Sequence, residues 1–220
     1  VALASLQALG EIGAPAAESV PTLLANLDGG SDKRQMTSII ALGGIGPPAK
    51  SAVDALMQLL SHDEAGVRAA TLGALGSIID ETEPLLAVLE RSLDDEDWMV
   101  RRRAADRLGQ MGEDAMPAVP RLLILLRGDD DDSDLASGAL RRIDASPPEA
   151  VPQLIEIIED EDSGRRQRYY ALHLLRKTGS AARSALPALH KLADRLDGRS
   201  REYVRRAIRD IEKTPVPDEA

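Results

Sequence analysis

Hydrophobic positions along this chain repeat in two alternating blocks. The first block opens on an aliphatic residue that is followed by proline in four of six copies: Val20-Pro21, Val53-Asp54, Leu86-Ala87, Val119-Pro120, Val151-Pro152 and Leu186-Pro187. Three residues further on stand Leu23, Leu56, Leu89, Leu122, Leu154 and Leu189, and seven further on Leu27, Leu60, Leu93, Leu126, Ile158 and Ala193. Spacing of i, i+3, i+7 lies on one helical face, so each block predicts a short amphipathic first helix. Proline suits its first turn, where the missing N–H would have no intrahelical partner.

The second block is built around a leucine, usually followed by glycine: Leu9, Leu42, Leu75, Leu108, Leu140, Leu175 and finally Ile208. Apolar residues recur eight, five, four, three and one positions before it and three after it, which predicts a longer second helix. A glycine four positions after the leucine reads as its C-cap, and the glycines as a whole cluster as helix ends. Acidic turns separate the blocks: Asp28–Asp32, His62–Gly66, Asp94–Asp97, Gly128–Asp134, Asp160–Gly164 and Asp197–Ser200. Carboxylates there satisfy free N–H groups and suit the positive helix end.

Successive key leucines are 33, 33, 33, 32, 35 and 33 residues apart, a period that signals a stacked array rather than a single-centred domain. The expectation is one all-α domain over 1–213: a half copy at 1–13, then helix pairs at 14–46, 47–79, 80–112, 113–144, 145–179 and 180–213. That makes thirteen helices, with 214–220 as a frayed tail. The core is small and aliphatic, since 220 residues include no Phe, one Trp and three Tyr. No cysteine is present, which excludes a disulfide framework and thiol chemistry.

Two stretches carry a family likeness. ValArgAlaAlaThrLeuGlyAlaLeuGlySerIle at Val67–Ile78 and AspTrpMetValArgArgArgAlaAlaAspArgLeuGlyGlnMetGly at Asp97–Gly112 resemble HEAT-like repeats, in particular the short bacterial kind also found in phycobilisome lyase subunits. The resemblance implies a right-handed α-solenoid, an armadillo-type superhelix of about six and a half repeats. It also implies that second helices line the concave face. The chain departs from that pattern at Asp144 and Glu212, which stand where the final glycine belongs, and at Gly128–Asp134, where one residue is lost.

Charge is partitioned between the blocks. The second helices, taken as 1–13, 33–46, 67–79, 100–112, 135–144, 165–179 and 199–213, hold 20 of the 27 Lys and Arg but 6 of the 37 Asp and Glu. Arg68, Arg101, Arg168 and Arg201 all lie seven residues before the key position, and pairing with the neighbouring acidic turns is their expected role. Positions six and two before and two after it lie one helical turn apart, forming a stripe that packing does not dictate. From that stripe come the candidate partner-binding residues Met36, Ile40, Arg102, Asp106, Arg142, Tyr169, His173, Lys177 and Arg206. Trp98, placed in the acidic turn, reads first as a staple of its helix entry, with an anchor role as the alternative since partly exposed aromatics are favoured in interfaces.

Catalytic and metal-binding readings find no support. His62, His173 and His190 are far apart in the sequence and form no zinc motif, and Asp129–Asp134 lacks the glycine and glutamate of an EF-hand loop. No nucleophile elbow, phosphate loop or dinucleotide fingerprint occurs, so neither an enzyme nor a cofactor is expected. The leading expectation is a non-catalytic scaffold that binds a protein or peptide on its concave face, with an acidic segment as one candidate feature of the partner. A basic concave face also raises nucleic-acid binding as in HEAT-type DNA glycosylases, but a sequence pI near 4.9 opposes it. A bilin lyase or chromophore chaperone is the remote alternative, resting on fold likeness alone. No apolar run is long enough to span a bilayer. A cytoplasmic location is expected over an exported one, although what precedes Val1 is not visible.

Overall fold

The computed structural model describes residues 3–27 and 32–215. Thirteen α-helices and no strand occur among them. A lone helix α1 (Leu3–Ile12) precedes six pairs: α2 and α3 (Val20–Ala25, Asp32–Ile45), α4 and α5 (Val53–Leu59, Ala65–Ile78), α6 and α7 (Thr82–Ser92, Trp98–Met111), α8 and α9 (Val119–Leu126, Asp130–Ile143), α10 and α11 (Val151–Glu159, Arg165–Thr178), and α12 and α13 (Leu186–Arg195, Gly198–Lys213). The fold is an α-solenoid of stacked helix pairs, and no described helix is long and apolar enough to cross a membrane. Two compact units divide it, Val1–Arg107 and Leu108–Ala220, with the boundary inside α7.

The periodic leucines form the core in both units. Leu23, Leu56 and Leu89 in the first unit and Leu122, Leu154 and Leu189 in the second are fully buried, as are Leu42, Leu75, Leu108, Leu140 and Leu175. Burial of a leucine side chain contributes about 1.5 to 3 kcal/mol relative to exposure, and the repeat places one such residue on each helix of a pair.

Five of the six first helices begin at the expected aliphatic residue, Val20, Val53, Val119, Val151 and Leu186. Each is preceded by a 3-10 turn that the hydrophobic period did not reveal: Ala14–Ser19, Pro47–Ala52, Gly112–Ala118, Pro148–Ala150 and Gly179–Ala185. At least one alanine in each, Ala16, Ala49, Ala115, Ala150 and Ala182 among them, is buried and pins the connector to the core. Helix α6 departs from the rule and begins at Thr82, four residues before Leu86. Its connector starts from Ile79 in extended geometry (φ −84°) instead of a left-handed glycine, so no 3-10 turn forms and Pro84 falls in the first helical turn.

The acidic stretch before Leu135 is likewise helix, not turn. Asp129 caps α9 by accepting a hydrogen bond from the Asp132 backbone N–H at 2.9 Å, and Asp130, Asp131 and Asp132 fill the first turn. Carboxylates at a positive helix end stabilise it, which is why the helix reaches back to Asp130. The basic excess assigned to second helices is correspondingly smaller, because these aspartates belong to one of them.

Glycines serve two purposes, not the single capping one. Those four residues after the key leucine, Gly13, Gly46, Gly112 and Gly179, have positive φ and end their helices. Asp144 also has positive φ where glycine is missing, but in the left-handed helical region (φ 51°, ψ 25°) and not at the ψ of −141° and −144° that Gly13 and Gly46 take, whereas α13 runs on through Glu212 to Lys213. The glycine directly after the leucine lies inside the helix and sets how closely second helices approach in the first unit. A Cβ on Gly43 would stand 2.9 Å from the Cα of Ala74, and one on Gly44 would stand 2.4 Å from the Gly10 carbonyl oxygen. Thr214, expected to fray, donates its hydroxyl to the Asp210 carbonyl at 2.9 Å. The rest of the expected tail from 216 onward and the Asp28–Asp32 turn up to residue 31 lie outside the described residues.

Candidate interaction surfaces

The position seven residues before each key leucine has one repeated task. The turn that follows a first helix carries carbonyls outside any helical ladder, and a long polar side chain from the second helix reaches back to them. Gln35 donates to Leu27 O at 2.8 Å. Arg68 donates to His62 O and Asp63 O at 2.8 and 3.0 Å, and Arg101 to Asp95 O and Glu96 O at 2.9 Å each. Arg168 donates to Asp160 O and Glu161 O at 2.9 and 2.8 Å, and Arg201 to Ala193 O and Leu196 O at 3.1 and 2.6 Å. The fifth copy has Ser133 here, and a different residue reaches the corresponding carbonyl: Gln167 of α11 donates to Leu126 O at 3.0 Å.

These arginines therefore do pair with the turns, but chiefly with backbone oxygens. Arg68 also makes a close, two-pronged pair with a carboxylate, donating from Nε and Nη2 to the two oxygens of Asp95 at 2.8 and 2.7 Å, and Arg201 stands 3.5 Å from Asp197. The Asp95 hydrogen bond raises the Arg68 pKa against the opposing effect of burial. Burial pushes the Asp95 carboxyl up, yet the Arg68 and Asp97 hydrogen bonds and the Arg68 and Arg101 charges outweigh it and hold the group below the usual carboxylate value.

In the first unit the stripe is partly open. Met36 is half-buried on α3, while Ile40, one turn on, is 60% exposed. Trp98 is the first residue of α7 rather than part of a turn, and it is 47% exposed. The Arg102 guanidinium lies 5.7 Å from its ring centroid, a cation–π arrangement, and stands 3.8 Å from Asp106. Trp98, Arg102 and Asp106 thus form one patch along α7, with an indole face already covered by a cation.

In the second unit the stripe is more engaged. Asp144 accepts from Lys177 Nζ at 2.5 Å and lies 2.7 Å from His173 Nε2, so two candidate residues are drawn onto the left-handed aspartate. The Lys177 hydrogen bond is the main reason that the Asp144 carboxyl sits below its ordinary range, with His173 adding to it against burial. Arg142 folds over α7, where its guanidinium fills the space a Cβ on Gly109 would need. Arg206 stands 4.0 Å from Asp210, which is itself bonded by Arg176 at 2.7 Å. Of the basic candidates in this unit, none stands apart from a neighbour.

Tyr169 differs, being 48% exposed. Its ring stacks on Tyr203 of α13 at 5.5 Å between centroids and 14° between planes, and lies nearly parallel to His173 at 6.4 Å. Burial raises the Tyr203 pKa, helped by Tyr169 and opposed by a hydrogen bond with Arg176. Beside this stack a groove of about 590 Å³ opens between the first turns of α11 and α13 and the end of α12. Sequence periodicity did not find it, because its apolar floor is made of buried, core-facing positions and two of its rim arginines, Arg165 and Arg199, stand where no spacing rule marks them.

Comparison with known proteins agrees with this geometry. A HEAT-repeats family model matches residues 20–94 and a HEAT-repeat model matches residues 85–115. The chain is a HEAT-like repeat protein. Among solved structures, this HEAT-like chain is similar to an engineered protein from the Northeast Structural Genomics Consortium, at 23% identity over 89% of this chain and 97% of that one with a TM-score of 0.55. Computationally designed armadillo repeat proteins for modular peptide recognition match at 18% identity, 94% and 91% coverage and a TM-score of 0.50. A structure of Kap95p with RanGDP matches at 17% identity, 90% of this chain and 31% of that one, with a TM-score of 0.53. These likenesses establish the fold alone. No match is found among curated proteins.

Proposed function

We propose that this HEAT-like chain is a non-catalytic scaffold that binds a protein or peptide through exposed residues on its second helices. The observation that carries this reading is the exposure of Ile40, Trp98 and Tyr169 on α3, α7 and α11, in a chain whose other large hydrophobics mostly form the core. An isolated exposed apolar residue is ordinary on any protein surface. Each unit carries such a residue on a second helix, Ile40 and Trp98 in the first and Tyr169 in the second, two at stripe positions and Trp98 one turn before Arg102, and solenoids bind through helix faces of this kind. Met36, Arg102 and Asp106 flank them in the first unit, and Arg142, His173, Lys177 and Arg206 in the second.

The ion pairs in the stripe change how charge contributes. Lys177 and His173 would meet a partner through Asp144, so an acidic partner segment must compete with that carboxylate. The designed armadillo relatives are described as made for modular peptide recognition, which supports a peptide as the occupant here.

The test is affinity capture from the native source, comparing the wild-type chain with Ile40→Asp/Arg102→Glu and with Tyr169→Ala. A specific co-purifying chain that is lost with either variant, while circular dichroism shows intact helices, supports the reading. Undiminished capture by both variants contradicts it.

A further inference from the structure

The groove in the second unit has a composition that the stripe does not explain. Its floor is aliphatic, from Leu172, Leu192 and Val204, and the stacked pair Tyr169 and Tyr203 also lines it. At about 590 Å³ it falls within the size range of ligand pockets, roughly 300 to 1,000 Å³. Arg165 and Arg199 also line it, and both are exposed.

Among the described residues the two arginines share with Arg91, Arg103 and Arg205 the lack of an ion pair, although the chain carries 37 acidic residues and a net charge of −10, and differ from them in lining the groove. Two acidic turn residues close by in sequence are already taken, Glu161 by Arg195 at 2.9 Å and Asp197 by Arg201 at 3.5 Å. Arg168, also on the lining, spends its Nη2 on turn carbonyls. Arg165 and Arg199 also stand in the first turns of α11 and α13, where α9 instead places aspartates. A cation at a positive helix end is unfavourable for folding, so these charges are not explained by helix stability.

We propose that this groove is an anchor site for a peptide that presents an aliphatic or aromatic side chain flanked by Asp or Glu. The apolar side chain enters between the tyrosine stack and the leucines, and its flanking carboxylates pair with Arg165 and Arg199 in the bidentate manner guanidinium favours. The tyrosines stack on each other instead of standing apart to receive a base, and the floor is aliphatic, so the chemistry favours a peptide over a single-stranded nucleic acid. The proposal rests on the reading of the chain as a peptide-binding scaffold, but it locates a pocket and a sequence preference that the stripe does not supply.

The test is selection of a random 12-residue peptide display library on the whole chain, followed by fluorescence polarisation with a synthetic peptide from the enriched set. The expected result is enrichment of Leu, Ile or Phe flanked by Asp or Glu. Binding should be at least tenfold weaker for Arg165→Glu/Arg199→Glu, intermediate for Arg165→Gln/Arg199→Gln, and unchanged for Ile40→Asp/Arg102→Glu. That last variant separates the two ideas, because it removes the first unit's stripe and leaves the groove intact. Absence of acidic enrichment, or equal binding by the Arg165→Glu/Arg199→Glu variant, would overturn the proposal. So would displacement of the peptide by oligo-dT at equal concentration.

Discussion

Arg68 on α5 and Asp95, 27 residues further along the chain, meet in a two-pronged ion pair at 2.8 and 2.7 Å, with the arginine only 6% exposed. The same guanidinium holds the His62 and Asp63 carbonyls, so one side chain joins the turns of two successive repeats. Removing the Asp95 charge leaves a buried cation short of its counter-ion, and Asp95→Asn should lower unfolding free energy by about 2 to 4 kcal/mol in urea titrations at pH 7. Asp95 has a depressed pKa, so its contribution is complete above the ordinary carboxylate value and is lost as pH falls through the lower folded-state value. Wild type and Asp95→Asn should therefore converge in stability below about pH 4. A pH-independent gap would contradict the assigned role.

Gln167 uses both ends of its amide: Oε1 accepts from Gly164 N at 2.7 Å and Nε2 donates to Leu126 O at 3.0 Å. Gln167→Ala should cost about 1 to 2 kcal/mol. Gln167→Glu keeps the acceptor and loses the donor, so it should fall between wild type and Gln167→Ala. If Gln167→Glu equals wild type in thermal melts, the reach to Leu126 contributes nothing.

Second-helix glycines should split by position. Gly43→Ala forces a methyl to 2.9 Å from the Ala74 backbone and should destabilise by about 1 to 3 kcal/mol. Gly138, inside α9, has nothing within 4 Å of the point where an added methyl would stand, so Gly138→Ala should stabilise by up to about 1 kcal/mol through helix propensity. Denaturant titration of both variants checks the contrast, and similar effects at the two sites would refute it.

Asp144 joins an unusual backbone geometry to an ion-pair cluster. Asn tolerates left-handed φ better than Ala does, so Asp144→Asn loses the charge alone while Asp144→Ala adds strain. Asp144→Ala should be the less stable by about 1 kcal/mol at neutral pH. The depressed carboxyl pKa means that the wild-type advantage over Asp144→Asn is present at neutral pH and disappears as acid protonates Asp144. Melting curves between pH 7 and pH 3 read this directly.

The fold was legible because its signal is periodic. Leu56, Leu122 and Leu189 are fully buried where the spacing places them, and five first helices start at the expected aliphatic residue. What escaped was whatever depends on contacts between repeats. Gly43 reads as punctuation in the sequence, and only the neighbouring helix reveals a close approach. Gln35 performs the same task as Arg68 and Arg168, yet no charge marks it. Asp129–Asp134 reads as a turn because acidity hides helix periodicity, although the same acidity starts α9. For the candidate surface, offsets selected Ile40 and Tyr169, which are exposed, but could not show that Arg142 lies over Gly109 or that Lys177 is bound by Asp144.

Hydroxyl-radical footprinting of the chain with and without its co-purified partner tests the central claim, because oxidisable side chains are exposed on both kinds of helix. Trp98 and Tyr169 lie on second helices, whereas Met57 lies on a first helix and Met116 in a connector, all of them exposed. Binding through second helices predicts that partner addition protects Trp98 or Tyr169 and leaves Met57 and Met116 oxidised at their free rates. Protection of Met57 and Met116, with Trp98 and Tyr169 unchanged, would contradict the account.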